Sequence, residues 1–184
     1  MSKLNIDQKT VKELFSAKKT KFLIPDYQRP YAWGEDECQT LWEDLFNFSF
    51  PENNCDNFDS ESDEYFLGPI VTFKNDKGDM EIIDGQQRLT TLMLLLRAFY
   101  DKFKNMKDDK SEKTREQIEA CIWKTDEFGY VNTEELKINS EVATDKDKDE
   151  FLEILRTGDV TKGKSSYAKN YKFFQDKIKE FTEE

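Results

Sequence analysis

The sequence predicts an α+β fold: a small mixed sheet with helices, followed by a mostly helical C-terminal half. Three observations carry this. Residues 65–73 and 80–83 are strand-like and flank Asn75-Asp76-Lys77-Gly78-Asp79, which is turn chemistry, so a hairpin delivers the chain to Asp84. After Gly85 the chain becomes apolar enough for a central helix from Gln86 to about Phe103, with Leu89, Leu92, Met93, Leu96, Phe99, Tyr100 and Phe103 on one face and Leu94 and Leu95 widening it. Beyond residue 104, apolar side chains recur mostly at helical spacing, dividing a first domain (1–104) from a helical extension (105–184).

In chain order, Ile6, Val11, Leu14 and Phe15 predict an amphipathic helix over residues 7–18. Lys21-Phe22-Leu23-Ile24 reads as a short strand that Pro25 closes or kinks. The next stretch, Ile24-Pro25-Asp26-Tyr27-Gln28-Arg29-Pro30-Tyr31-Ala32-Trp33, is a rigid, mostly extended loop with two prolines and three aromatics. Glu35, Asp36 and Glu37 then open a helix where the dipole favours acids, and Cys38, Leu41, Trp42, Leu45 and Phe46 form its buried face. Residues 51–64 are acidic and read as a loop. The alternation Asp59, Glu61, Asp63 lacks the glycine and the closing Glu that a calcium loop needs. Residues 101–117 read as a solvated connection, and Ile118, Cys121, Ile122 and Trp123 as a helix. Tyr130-Val131 and Leu136-Lys137-Ile138 read as a hairpin around residues 132–135. A short helix ends at Gly158. A final helix, marked by Tyr167, Tyr171, Phe174, Ile178 and Phe181, meets no stop signal, which predicts a further domain beyond Glu184.

Composition removes whole mechanisms. The 184 residues contain no histidine, so Ser-His-Asp and Cys-His catalysis, HNH-type nuclease chemistry and His-ligated metals cannot be completed within them. A net charge of −11 argues against gripping nucleic acid by charge alone. Three scattered cysteines without a C-x-x-C pair, no signal peptide and no long apolar run fit a cytoplasmic protein with no membrane association.

Two polar clusters carry the chemistry. Asp84-Gly85-Gln86-Gln87-Arg88 sits at a strand-to-helix turn. Asp84 as a cap with Gln87 completing a capping box would account for part of it without any function. Arg88 is not accounted for, since a cation in the first helical turn opposes the dipole unless an anion such as phosphate sits there too. Of 28 basic residues only five are Arg, and two of them follow Gln in these clusters, as Gln28-Arg29 and Gln87-Arg88. Forked recognition of phosphate by these arginines and an Arg29–Asp84 ion pair stapling the loop to the turn both fit that pattern. Tyr27, Tyr31 and Trp33 are suited to stack on a base or to pack beneath the loop. The G-x-x-x-x-G-K-[ST] phosphate loop is absent.

The pairing of IPDYQRPYAW with DGQQRLTT, together with Phe66-Leu67-Gly68 and, more loosely, Asn170-Tyr171, resembles the N-terminal domain of GmrSD-type, modification-dependent restriction enzymes, defined by a DGQQR motif. The resemblance implies a fold related to ParB and sulfiredoxin, although the turn lacks the cysteine of the sulfiredoxin branch. It also implies a domain that hydrolyses a nucleoside triphosphate with Mg²⁺ and regulates DNA cleavage by a C-terminal or separate HNH-type nuclease in phage defence. By motif position the functional residues are Gln28 and Arg29, with Asp84, Gln86, Gln87 and Arg88. Arg88 and the helix N-terminus, with Gly85, would hold phosphates beside Tyr27 and Tyr31. Arg29 would stabilise transferring charge, Asp84 would orient Mg²⁺ or the attacking water, and Gln86 or Gln87 would position that water. DNA would be met through the full-length protein. The alternatives are a non-catalytic DNA- or partner-binding sensor that gates a nuclease, and a ParB-like phosphodiesterase. Self-association is left open.

Overall fold

The computed structural model describes residues 5–16, 20–59, 62–160 and 163–183. Residues 1–4, the end of the first predicted helix (17–18) and Glu61 of the acidic loop lie outside the described residues. The elements run α1 (Val11–Ser16), β1 (Phe22–Ile24), α2 (Glu35–Ser49), two short 3₁₀ turns, β2 (Val71–Lys74), β3 (Met80–Asp84), α3 (Gln86–Phe103), α4 (Asp109–Ile122), β4 (Trp123–Thr125), β5 (Val131–Leu136), β6 (Ile138–Ser140), α5 (Lys148–Thr157) and α6 (Ser166–Glu183).

The first sheet is mixed, in the order β2-β3-β1-β6. The hairpin β2–β3 is antiparallel, while β1 runs parallel to both β3 and β6. Phe22, Leu23 and Ile24 are all buried, as suits a short central strand with neighbours on both edges. The pairing continues past the strands, because Glu141 N donates to Ile24 O at 2.8 Å and Ala143 N to Asp26 O at 3.1 Å. The chain leaving β6 therefore runs beside the proline-rich loop.

Helix α3 is the central element, as its composition predicted. Leu89, Met93 and Leu94 are fully buried, each contributing about 1.5–3 kcal/mol of transfer free energy. It packs chiefly on α6 and α4. Arg97 is a surprise on this face, at 2% exposure. Its Nε donates to Ile154 O at 3.1 Å, its Nη1 pairs with Asp101 at 3.0 Å, and its guanidinium lies over the Tyr100 and Trp123 rings. Tyr171 from α6 also donates to Asp101. The buried charge is thus paired and hydrogen-bonded, the condition under which a core tolerates one.

Three local expectations are corrected. Of residues 65–73, only Val71 to Phe73 enter a strand. Residues 101–117 are largely helical: α3 runs to Phe103, and α4 starts at Asp109, with the Asp108 carboxylate accepting from Ser111 N at 3.0 Å. Residues 130–138 do not fold back on themselves. Val131–Leu136 is one strand paired with Trp123–Thr125, and the chain then crosses at Lys137 into the first sheet as β6.

Candidate functional site

The proline-rich loop crosses the N-terminus of α3, and three glutamine amides hold it there. Gln28 Nε2 donates to Ile82 O and Ile83 O, both at 3.1 Å. Gln86 Nε2 donates to Arg29 O at 3.1 Å. Gln87 Nε2 donates to Pro30 O at 3.1 Å, while its Oε1 accepts from Ala32 N at 2.7 Å and Trp33 N at 3.3 Å. A primary amide carries a donor and an acceptor side by side, so it substitutes for a missing strand neighbour along irregular backbone. The two motifs are one assembly.

This geometry overturns the capping reading of the turn. Asp84 remains the last residue of β3, and Gly85, at φ +89°, occupies the N-cap without any side-chain cap bond. Only glycine suits this corner, because a Cβ on Gly85 would lie 3.0 Å from Pro69 O. Gln87 is then free to turn away from its own helix towards the loop.

A second layer fixes the loop from α6. Asn170 Nδ2 donates to Tyr31 OH and to Trp33 O, both at 2.8 Å. The Tyr31 hydroxyl bonds Thr91 Oγ1 at 2.7 Å, and Thr91 donates to Gln87 O at 2.9 Å. The Tyr31 ring stacks on Tyr167 at 4.7 Å, and Tyr167 on Phe151 at 5.0 Å. Burial, and then the neighbouring Cys38, raises the Tyr31 hydroxyl well above the usual phenol range, so it stays protonated. Burial, then the hydrogen bond to Asp145 at 2.5 Å, does the same for Tyr167. The Cys38 thiol beside Tyr31 is pushed up to about 12 by burial. Tyr31 therefore packs and braces, and of the three loop aromatics Tyr27, at 64% exposure, is the exposed one.

The charged groups are arranged differently. Arg88 reaches back to the loop before β2: Nη1 donates to Pro69 O at 2.8 Å and the guanidinium lies against Gly68, where a Cβ would sit 2.9 Å from Cζ. Gly68 is at φ +98°, so its lack of a side chain serves both the turn and the arginine. Arg29 and Asp84 are exposed. Among the described residues none of Arg29, Arg88 and Asp84 enters an ion pair, so the Arg29–Asp84 staple does not form. No group of three or more His, Cys, Asp or Glu converges on a metal position among the described residues.

Beneath the loop lies a cavity with room for about one water, lined by residues that include Arg29, Gln86, Thr90, Ser140 and Tyr167. A larger open depression lies alongside, between Pro30-Tyr31, residues 144–147 and Ser166-Tyr167. Sequence reasoning missed Thr91, Ser140 and Tyr167 and noted Asn170 only in passing. Asn170 had a legible signal, an amide on the same face as Tyr167, Tyr171 and Phe174 of a strongly amphipathic helix; Ser140 had none.

Among the described residues no helix is long and apolar enough to cross a membrane. A comparison with protein families matches residues 11–183 to the model of the GmrSD restriction endonuclease, N-terminal domain. No curated protein matches the sequence.

Proposed function

Because the chain belongs to the family of GmrSD restriction endonuclease N-terminal domains, we propose that it binds and hydrolyses a nucleoside triphosphate as the regulatory domain of a modification-dependent, cytoplasmic phage-defence protein. One observation carries this reading. Two arginines meet at the N-terminus of an 18-residue helix, Arg88 in its first turn and Arg29 on the loop that Gln86 holds there, and among the described residues neither has a carboxylate partner. The backbone N–H groups and positive dipole end of such a helix favour an anion, and planar guanidinium donors match phosphate oxygens.

In this reading Arg88, held against Gly68 with four N–H donors left over, fixes the phosphates together with the helix N-terminus. Arg29 meets the charge that develops on the transferred group, which preorganised donors stabilise without reorganising. Gln87 is a positioning residue, since its Oε1 already serves Ala32 and Trp33. The exposed Asp84 suits Mg²⁺, which keeps most of its waters and takes one or two carboxylates plus phosphate oxygens, and the ion would supply neutralisation of phosphate charge. Tyr27, exposed beside Arg29, is the ring available to a base.

The test is turnover of nucleoside triphosphates by purified protein with Mg²⁺, compared with Arg29→Ala and Arg88→Ala. We expect turnover by the wild type and a loss of at least 100-fold in Arg29→Ala, whose stability stays within about 0.5 kcal/mol because the side chain is exposed and without an ion pair. A wild type that neither binds nor hydrolyses any nucleotide refutes the reading. The exposed Tyr27–Arg29 tip also suits a non-catalytic sensor, for which DNA binding lost on changing Tyr27 or Arg29, without turnover, is the expected result.

A further inference from the structure

Two residues that line the cavity under the loop carry buried oxygens without a partner among the described residues: Gln86 Oε1 and Ser140 Oγ. Gln86 is 6% and Ser140 5% exposed. They come from distant parts of the chain, the first turn of α3 and the end of β6, and they are brought together because β1 pairs with both β3 and β6. The amide of Gln86 cannot be reversed to relieve the mismatch, since its Nε2 is committed to Arg29 O at 3.1 Å. A buried acceptor left without a donor costs about 1–3 kcal/mol, so the cavity calls for a donor small enough to enter it. Arg29 lines the same cavity, its carbonyl holding Gln86, and is itself exposed, so the cavity adjoins the surface at this residue.

We infer that Gln86 Oε1 and Ser140 Oγ together hold one water molecule, and that this is the water delivered to the terminal phosphate. The inference rests on the nucleotide-hydrolysis reading above and deepens it by selecting between the two glutamines and adding a residue outside both motifs. Gln86 Oε1 accepts one hydrogen of the water, and the Ser140 hydroxyl, which can accept or donate, fixes a second direction, so at least one lone pair of the water stays free for attack. Its oxygen forms a bond to the terminal phosphorus as the bond from phosphorus to the bridging oxygen breaks. The electron pair leaves on the nucleoside diphosphate. One proton stays on the new phosphate hydroxyl and the other passes to a phosphate oxygen, so neither Gln86 nor Ser140 has to change protonation.

Ser140→Ala removes no hydrogen bond made to a described residue, so the variant is expected to fold and melt as the wild type does. We expect its kcat to fall about tenfold with nucleotide Kd unchanged, and Ser140→Thr, which restores the hydroxyl, to recover at least half of the rate. An unchanged kcat in Ser140→Ala, or an equal loss in Ser140→Thr, overturns the assignment. A high-resolution crystal structure of the wild type supplies a readout independent of turnover. An ordered water within hydrogen-bond distance of both oxygens supports the site, and a dry cavity overturns it. A wild type that hydrolyses nothing refutes the hydrolytic reading and with it the role of the water, whereas the water site itself stands or falls on the density.

Discussion

Replacing Gln87 by Glu exchanges a single amide nitrogen for oxygen and turns one hydrogen bond into a contact between two acceptors. In the native chain Nε2 donates to Pro30 O at 3.1 Å, and Oε1 accepts from Ala32 N and Trp33 N. The side chain is 6% exposed. Gln87→Ala deletes three bonds. Ala32 is exposed and its N–H regains water, while Pro30 and Trp33 are half-buried; at about 1 kcal/mol per bond the loss is about 2–3 kcal/mol. Gln87→Glu keeps the acceptor side but sets a carboxylate oxygen against the Pro30 carbonyl in a buried site. We expect about 3–4 kcal/mol at pH 7, or a fall in Tm of about 6–16 °C for a chain of this size. The pH dependence is diagnostic. Burial against a carbonyl raises the folded-state pKa of the new carboxyl above its unfolded value of about 4.3, so the penalty is absent below that pH and grows as pH rises towards the folded value. Urea unfolding of both variants and the wild type at pH 7 and pH 4.5 measures this. A Gln87→Glu protein no less stable at pH 7 than Gln87→Ala, or with the same deficit at both pH values, refutes the account of the loop.

The other expectations concern the supports of the site and the core. Asn170→Ala, at 2% exposure and with two 2.8 Å bonds lost, is expected to cost about 2–3 kcal/mol by urea unfolding and to raise hydrogen exchange at residues 31–33. Gly158 caps α5 at φ +77°, and a Cβ there would lie 2.6 Å from Arg97 Nη2, so Gly158→Ala is expected to lower Tm by at least about 5 °C in a calorimetric scan. Cys38, fully buried and titrating at about 12, stays protonated at pH 8; alkylation followed by peptide mapping should leave it unmodified until denaturant is added.

How far the sequence was readable depended on whether a signal was local. Helix α3 announced itself because the run from Leu92 to Leu96 is wholly apolar, and its bounds match the reading at both ends. The β2–β3 hairpin was readable from Asn75-Asp76-Lys77-Gly78-Asp79. Strand β5 was not, because Asn132 to Glu135 are all exposed and the strand is paired with β4 alone, so no alternation of apolar and polar residues marks it. The first turns of α4 are Lys- and Glu-rich for the same reason, and only the Asp108 cap marks their start. At the site, both motifs were visible as unusual composition, yet the turn was misread as a capping box. The positive φ of Gly85, which turns Gln87 outwards, follows from the approach of Pro69 and Ile70, and no local pattern encodes that approach.

The position of β1 has a consequence for how the chain is made. A strand of only three residues lies between β3 and β6, with Phe22 paired to both Met80 and Ile138. During synthesis β1 emerges first, gains its first neighbour some 60 residues later and its second only after residue 140. Until then Phe22-Leu23-Ile24 presents an apolar segment with an open backbone edge, the kind of surface that pairs with other chains. Sheet closure across such separations is slow, because loop entropy is lost before the contacts form. Nascent chains halted before residue 138 should therefore be the aggregation-prone species, and release of the β6 segment should mark the onset of protease resistance in the whole sheet.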